Sequence, residues 1–395
     1  MKLQVSLALL AITIPAIAQK PAAITRLDGT TITTADAEAF ARKTLAEAHV
    51  TGAQLAVLNH GKLVWSFAYG LAGKNPDRPM DRETTLPSAS LTKSLFATYV
   101  MTLVERGQFN LDKPIAQQLP QPLDTYAPYR DTASLLVHDP NWPLVTPRML
   151  LAHTSGLSSG AYSEPDRKFH LHFKSGTQWL YSNDAVVLLQ FVIEQQLRRP
   201  LADLIQETIF TPLNMTRTGF IYHADFSPDI SARFDAHDGD IPDTHPSIAR
   251  ASGSMNTSAD DLARFLTALY ANRILKPATR KAMFTSVIPI DSEHESTFSG
   301  HHPNDAEVKP IGFAYGVGWG LITHTRFGPA FFKEGHIGGA NAYVICFDRS
   351  QSCMILMTNS DNGELTYRPL LEKILGDTVT PWIWEGYTAT APPQP

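Results

Sequence analysis

Hydrophobic and polar positions change rhythm twice along the chain. Two apolar runs, Gln54 to Leu58 and Lys62 to Tyr69, flank Asn59-His60-Gly61, a hairpin signal. Leu91 to Val104 is apolar on most faces, which predicts a buried helix ended by Gly107. The middle of the chain then becomes helical. Thr146-Pro147 starts one helix, with Thr as cap and Pro in the first position, and Asp184 to Gln196 and Leu201 to Phe210 follow. Thr33 with Asp36, and Ser258 with Asp261, have the form of capping boxes. They predict helices from about residue 34 to 48 and from 259 to 269. Leu111 to Val145 and Ile288 to Val308 lack periodicity and read as loops. Gly312 to Asn359 is strand-rich. Strands at both ends with helices between them predict an α+β fold. Its α/β part would cover about 30–110 and 250–385, with a mainly helical part inserted over about 111–249.

The first residues add a compartment. Lys2 precedes a mostly apolar stretch, Leu3 to Ile17, too short to span a bilayer, and Ala16-Ile17-Ala18 offers a cleavage site. The expectation is a signal peptide over 1–18, a hydrolase-sized domain over 19–385, and a disordered tail over 386–395. No Cys stands directly after the cleavage site, and no later run has the roughly 18 apolar residues of a span. A soluble periplasmic or secreted protein without a stable membrane anchor is therefore expected. Net charge is −5 with no basic stripe, which speaks against nucleic acid as a partner. Of the two cysteines, Cys346 and Cys353, each lies in a strand-like run on either side of Asp348-Arg349-Ser350. A two-residue turn at Arg349-Ser350 would set them opposite each other, allowing a disulfide in an oxidising compartment; two buried thiols are the alternative.

Three short motifs carry chemistry. Ser90-Leu91-Thr92-Lys93 opens the apolar helix, so Ser and Lys lie on one face a turn apart. A Ser hydroxyl needs a base, and a Lys serves when desolvation or nearby charge favours its neutral form. Tyr181-Ser182-Asn183 follows Gly176 and precedes a helix; a Tyr can share the base role and an Asn amide can hold a carbonyl. A second Tyr-x-Asn, at Tyr270-Ala271-Asn272, ends a helix and reads as structural. His336-Ile337-Gly338-Gly339 precedes a strand, and its glycines would let a substrate lie against the backbone. Each motif alone has a bland reading: a helix cap with a solvated Lys, a polar loop, a glycine turn. His170-x-His172 and His301-His302 lack a matching ligand array, and Asp235 to Asp240 fails EF-hand spacing. No metal and no organic cofactor are expected.

The order Ser-x-x-Lys, Tyr-x-Asn, His-x-Gly resembles the serine β-lactamase and penicillin-binding protein superfamily. The likeness is greater to its class C β-lactamase branch, with DD-peptidases, D-aminopeptidases and family VIII carboxylesterases. Leu150-Leu151-Ala152-His153-Thr154-Ser155-Gly156-Leu157 and Phe210-Thr211-Pro212-Leu213-Asn214-Met215 support it. The resemblance implies an antiparallel sheet flanked by helices, as in the serine β-lactamase/transpeptidase fold. It implies acylation of Ser90, proton handling by Lys93 and Tyr181, and substrate positioning by Asn183, His336, Gly338 and Gly339. The N–H groups of Ser90 and Gly339 would form the oxyanion hole, and His153 would be structural. Ile337 stands where relatives carry a hydroxyl, and Asn214 where they often have Gly. The first departure favours small esters, or D-amino-acid peptides and amides, over β-lactams. A non-catalytic penicillin-binding-type sensor is the reading from a different class.

Overall fold

Strand β1 (Gly52–Asn59) turns through His60 and Gly61 into β2 (Lys62–Gly73). Both turn residues have positive φ, 50° and 69°, the conformation of a type I′ hairpin turn. The computed structural model describes residues 22–222, 229–242, 247–294 and 305–387. The expected signal peptide, the end of the chain and His301-His302 lie outside them. The main sheet takes in β3 (Arg78–Pro79), β4 (Ile288–Pro289), β5 (Phe313–Tyr315), β6 (Gly320–Ile322), β7 (Ala330–Ile337), β8 (Ala340–Phe347) and β9 (Ser352–Thr358). Its spatial order is β4-β5-β6-β7-β8-β9-β1-β2-β3, and every neighbouring pair is antiparallel. Strands from both ends of the chain thus build one sheet.

Helices cover both faces, so β1, β8 and β9 are buried throughout. Their runs are continuously apolar because neither face meets water. On one face Ala56, Phe331, Val344 and Ile355 pack with α2 (Thr92–Glu105), α4 (Asn183–Leu197) and α5 (Ala259–Tyr270). On the other, Leu55, Phe332, Tyr343 and Leu356 pack with α1 (Thr34–Glu47) and the C-terminal turns from Tyr367 to Tyr387. The caps read from the sequence are present. Thr33 accepts from Asp36 N–H, Thr146 from Met149 at the start of α3 (Pro147–Leu151), and Ser258 from Asp261. An antiparallel sheet between two helical layers is the architecture that the resemblance implies.

Some expectations need correction. Ile288 to Val308 is not all loop: Ile288–Pro289 joins the sheet edge and Asp305–Val308 is a helical turn. The helix expected over 201–210 is regular only to Ile205 and widens to a π-type turn over 206–210. Of the stretch expected as a tail, Gly386 and Tyr387 are described, and Tyr387 is buried against Tyr343 and Tyr367; residues 388–395 lie outside the described residues. Cys346 and Cys353 face each other in the register of β8 and β9 and form a disulfide. Asn214 has φ 55°, which explains why a glycine would suit that turn.

Candidate active site

Ser90 sits on a tight turn, Ala89–Leu91, that leads into α2. The turn is anchored from behind. Ser88 donates through both N–H and Oγ to the Met255 carbonyl, and Met255 N–H donates back to Thr92 Oγ1. Ala89 takes a φ of 44°, a left-handed conformation that costs a residue with a Cβ about 1–2 kcal/mol. One turn on, Lys93 is almost wholly buried, and its Nζ lies 2.9 Å from Ser90 Oγ. The same ammonium donates to the Ser252 carbonyl and lies 4.9 Å from the centre of the Tyr181 ring.

His153 holds Tyr181-Ser182-Asn183 in place. Its Nδ1 accepts the Ser182 N–H at 3.1 Å, and its ring lies 4.5 Å from Tyr181 and 5.0 Å from Tyr315. Burial, then the charges of Lys93 and Lys333, push its pKa well below the ordinary histidine value. It is therefore neutral, with the proton on Nε2, and its role is to carry the loop. Ser182 caps α4 by accepting from Ala185 N–H. Asn183 is tied to Ser159 through its N–H and its side-chain amide. Beside it a cavity of about 390 Å³ is bounded by Ser158, Glu164, His172 and Tyr181.

The third motif falls three residues earlier than the sequence reading placed it. Gly335, not Gly338, packs on the nucleophile turn: a Cβ there would stand 2.4 Å from Ser88 O, 2.9 Å from Leu91 N and 3.0 Å from Ser90 N. Lys333, two residues back on the same face of β7, is fully buried and sends its Nζ to 5.1 Å from the Tyr181 ring centre. It also pairs with the Glu334 carboxylate. The motif that meets Ser90 is thus Lys333-Glu334-Gly335. His336 does not take the place of that lysine; its side chain is 63% exposed, with Nδ1 4.0 Å from Glu364 Oε1. The Gly339 N–H donates to Asp361, and the Gly338 carbonyl accepts from Arg233, so neither glycine is directed at Ser90. Gly339, with φ 73°, serves the β7–β8 turn.

The same register names a different donor. Ile337 pairs with Ala340 across a two-residue turn, so Ile337, Gly335 and Lys333 exchange backbone bonds with β8. The N–H and C=O of Glu334 and His336 then point to the other edge. β6 covers that edge only from Ala330 to Phe332. Among the described residues no strand covers the His336 N–H, which follows the glycine packed on the Ser90 turn. Sequence reasoning missed Lys333; its signal was a Lys-Glu pair inside an otherwise apolar strand, with Gly two residues after the Lys. Among the described residues no group of three or more His, Cys, Asp or Glu could hold a metal ion. His170 and His172 pair instead with Asp166 and Glu164. Asp235 closes its own turn by accepting from His237 and Gly239.

A family model described as Beta-lactamase matches residues 37–375. The chain belongs to the beta-lactamase family. Members of this family are typically hydrolases. Esterase EstB of Burkholderia gladioli is 30% identical over 285 residues, covering 60% of this chain and 69% of its own. The octameric penicillin-binding protein homologue from Pyrococcus abyssi shares the fold with a TM-score of 0.71 at 21% identity, covering 89% of this chain and 80% of its own. The D-amino acid amidase from Ochrobactrum anthropi SV3 does so with a TM-score of 0.66 at 23% identity, over 86% and 95%.

Proposed function

We propose that this member of the beta-lactamase family is an exported serine hydrolase that forms an acyl-enzyme on Ser90. The observation that carries the reading is the 2.9 Å approach of Lys93 Nζ to Ser90 Oγ, with the lysine shielded from water. In its neutral form Lys93 takes the Ser90 proton as Oγ bonds to the substrate carbonyl carbon. The oxygen that becomes negative is met by the N–H groups of Ser90 and His336. Tyr181, lying against both Lys93 and Lys333, relays the proton to the leaving alcohol or amine as the C–O or C–N bond breaks. Water then attacks the acyl carbon, the acid leaves, and Ser90 regains its proton. Asn183 positions the acyl side.

Esters are the first substrate class to assign, on the likeness to Esterase EstB, with D-amino-acid amides next and β-lactams last. The disulfide supports export, since cytosolic thiols are kept reduced. The test is intact mass after treatment with a fluorophosphonate. One adduct on the wild type and none on Ser90→Ala is expected; no adduct on the wild type, or equal labelling of both, contradicts the assignment.

A further inference from the structure

We infer that Glu334 makes this site select by charge, turning away substrates that carry a carboxylate near the scissile bond. The inference rests on the Ser90 reading above and names its substrate class as esters or amides uncharged at that position.

Lys333 would on its own be an anion receptor: a buried ammonium two residues from the glycine that touches the Ser90 turn. Glu334 alters that. Its carboxylate is paired with the Lys333 ammonium, so an arriving anion finds the positive charge already matched. Side chains alternate along β7, so Glu334 and His336 lie on the face away from Gly335. There they line a cavity of about 540 Å³ with Asp361, Glu364, Trp384 and Tyr387. Among the described residues the lining includes no Lys or Arg, and its basic groups are His336 and His294. Asp361 is turned to the Gly339 N–H, and Glu364 to His336. A carboxylate placed beside the open edge of β7 therefore meets several like charges within a Debye length, about 8–10 Å, at physiological salt. A neutral group meets the Trp384 and Tyr387 rings without that opposition.

The test uses two phenyl acetates of matched shape, 4-acetoxybenzamide and 4-acetoxybenzoate, each enzymatic rate divided by its rate with hydroxide. Wild type is expected to favour the neutral ester in normalised kcat/KM by about tenfold or more at low salt. The preference sits in KM and narrows as salt is raised, which a purely structural role for Glu334 would not produce. E334Q shrinks the ratio about tenfold, and E334D restores it. Equal normalised kcat/KM for the two esters in the wild type overturns the inference even if E334Q fails to fold. So does an unchanged ratio in an E334Q that melts as the wild type does. If 4-acetoxybenzamide turnover is lost in Ser90→Ala, these outcomes leave the nucleophile assignment standing. If the wild type hydrolyses neither ester, both readings fall.

Discussion

Gly335→Ala adds one methyl group at the point where β7 meets the nucleophile turn. The three nearest atoms that methyl would meet belong to backbone: Ser88 O at 2.4 Å, Leu91 N at 2.9 Å and Ser90 N at 3.0 Å. At these contacts there is no side chain to swing aside. Cβ contacts begin near 3.0 Å, so strand and turn must part by about 0.6 Å at Ser88. The turn is held by Met255 on its far side, so β7 gives way. Overpacking of this kind costs about 1–3 kcal/mol of stability. A displacement of that size between nucleophile and oxyanion donor lowers kcat about 10- to 100-fold. Gly338→Ala is the control. Its nearest neighbour is Ile241 Cδ1 at 3.8 Å, ordinary contact, and its backbone is not left-handed. It should stay within about 0.5 kcal/mol and twofold of wild type. Steady-state hydrolysis of p-nitrophenyl butyrate and thermal melts on the two variants decide the matter. Full activity in Gly335→Ala, or a larger loss in Gly338→Ala, refutes the placement of Lys333-Glu334-Gly335 at the nucleophile.

Two further outcomes follow from the same geometry. Lys93→Arg keeps a cation but removes a base that can become neutral, and should lower kcat on p-nitrophenyl butyrate by about 10²- to 10⁴-fold with the melting temperature little changed. His153 is held neutral by burial, so its folded pKa lies below the unfolded value of 6.5. Its contribution to stability is therefore complete above pH 6.5 and is lost as pH falls below it, by about 1.4 kcal/mol per pH unit. His153→Asn, whose amide oxygen can replace Nδ1 as acceptor, should flatten the slope of unfolding free energy between pH 6.5 and 5. Buried Asp377 and Asp261, with raised pKa values, act in the opposite sense from near 3.8 upward, so the difference between variant and wild type is the quantity to compare. Identical slopes would remove His153 from the account.

What the sequence disclosed was mostly local. Asn59-His60-Gly61 is a turn because two adjacent residues must take positive φ, and glycine at one of them lowers the cost. Thr33, Thr146 and Ser258 cap helices through bonds that span three residues. Ser90 and Lys93 meet because a helix repeats every 3.6 residues. The third motif depended on distance. Gly335 and Gly339 look alike in a sequence, yet one lies against the Ser90 turn, some 245 residues away in the chain, and the other has a φ of 73° and packs on Arg233 and Phe234. Lys333 has its partner Tyr181 on another element altogether, and only the register of β7 against the Ser90 turn reveals that they meet. The cysteine pairing is open in the sequence for the same reason: it depends on the register of β8 and β9.

The most direct measurement quenches the wild-type enzyme in acid during steady-state turnover of p-nitrophenyl butyrate and maps the peptides by mass. The account predicts one butyryl group, on the peptide carrying Ser90, chasing off when substrate is exhausted. Turnover lost in Ser90→Ala should coincide with loss of that adduct. Turnover by the wild type with the acyl group on another residue, or undiminished turnover by Ser90→Ala, would contradict it.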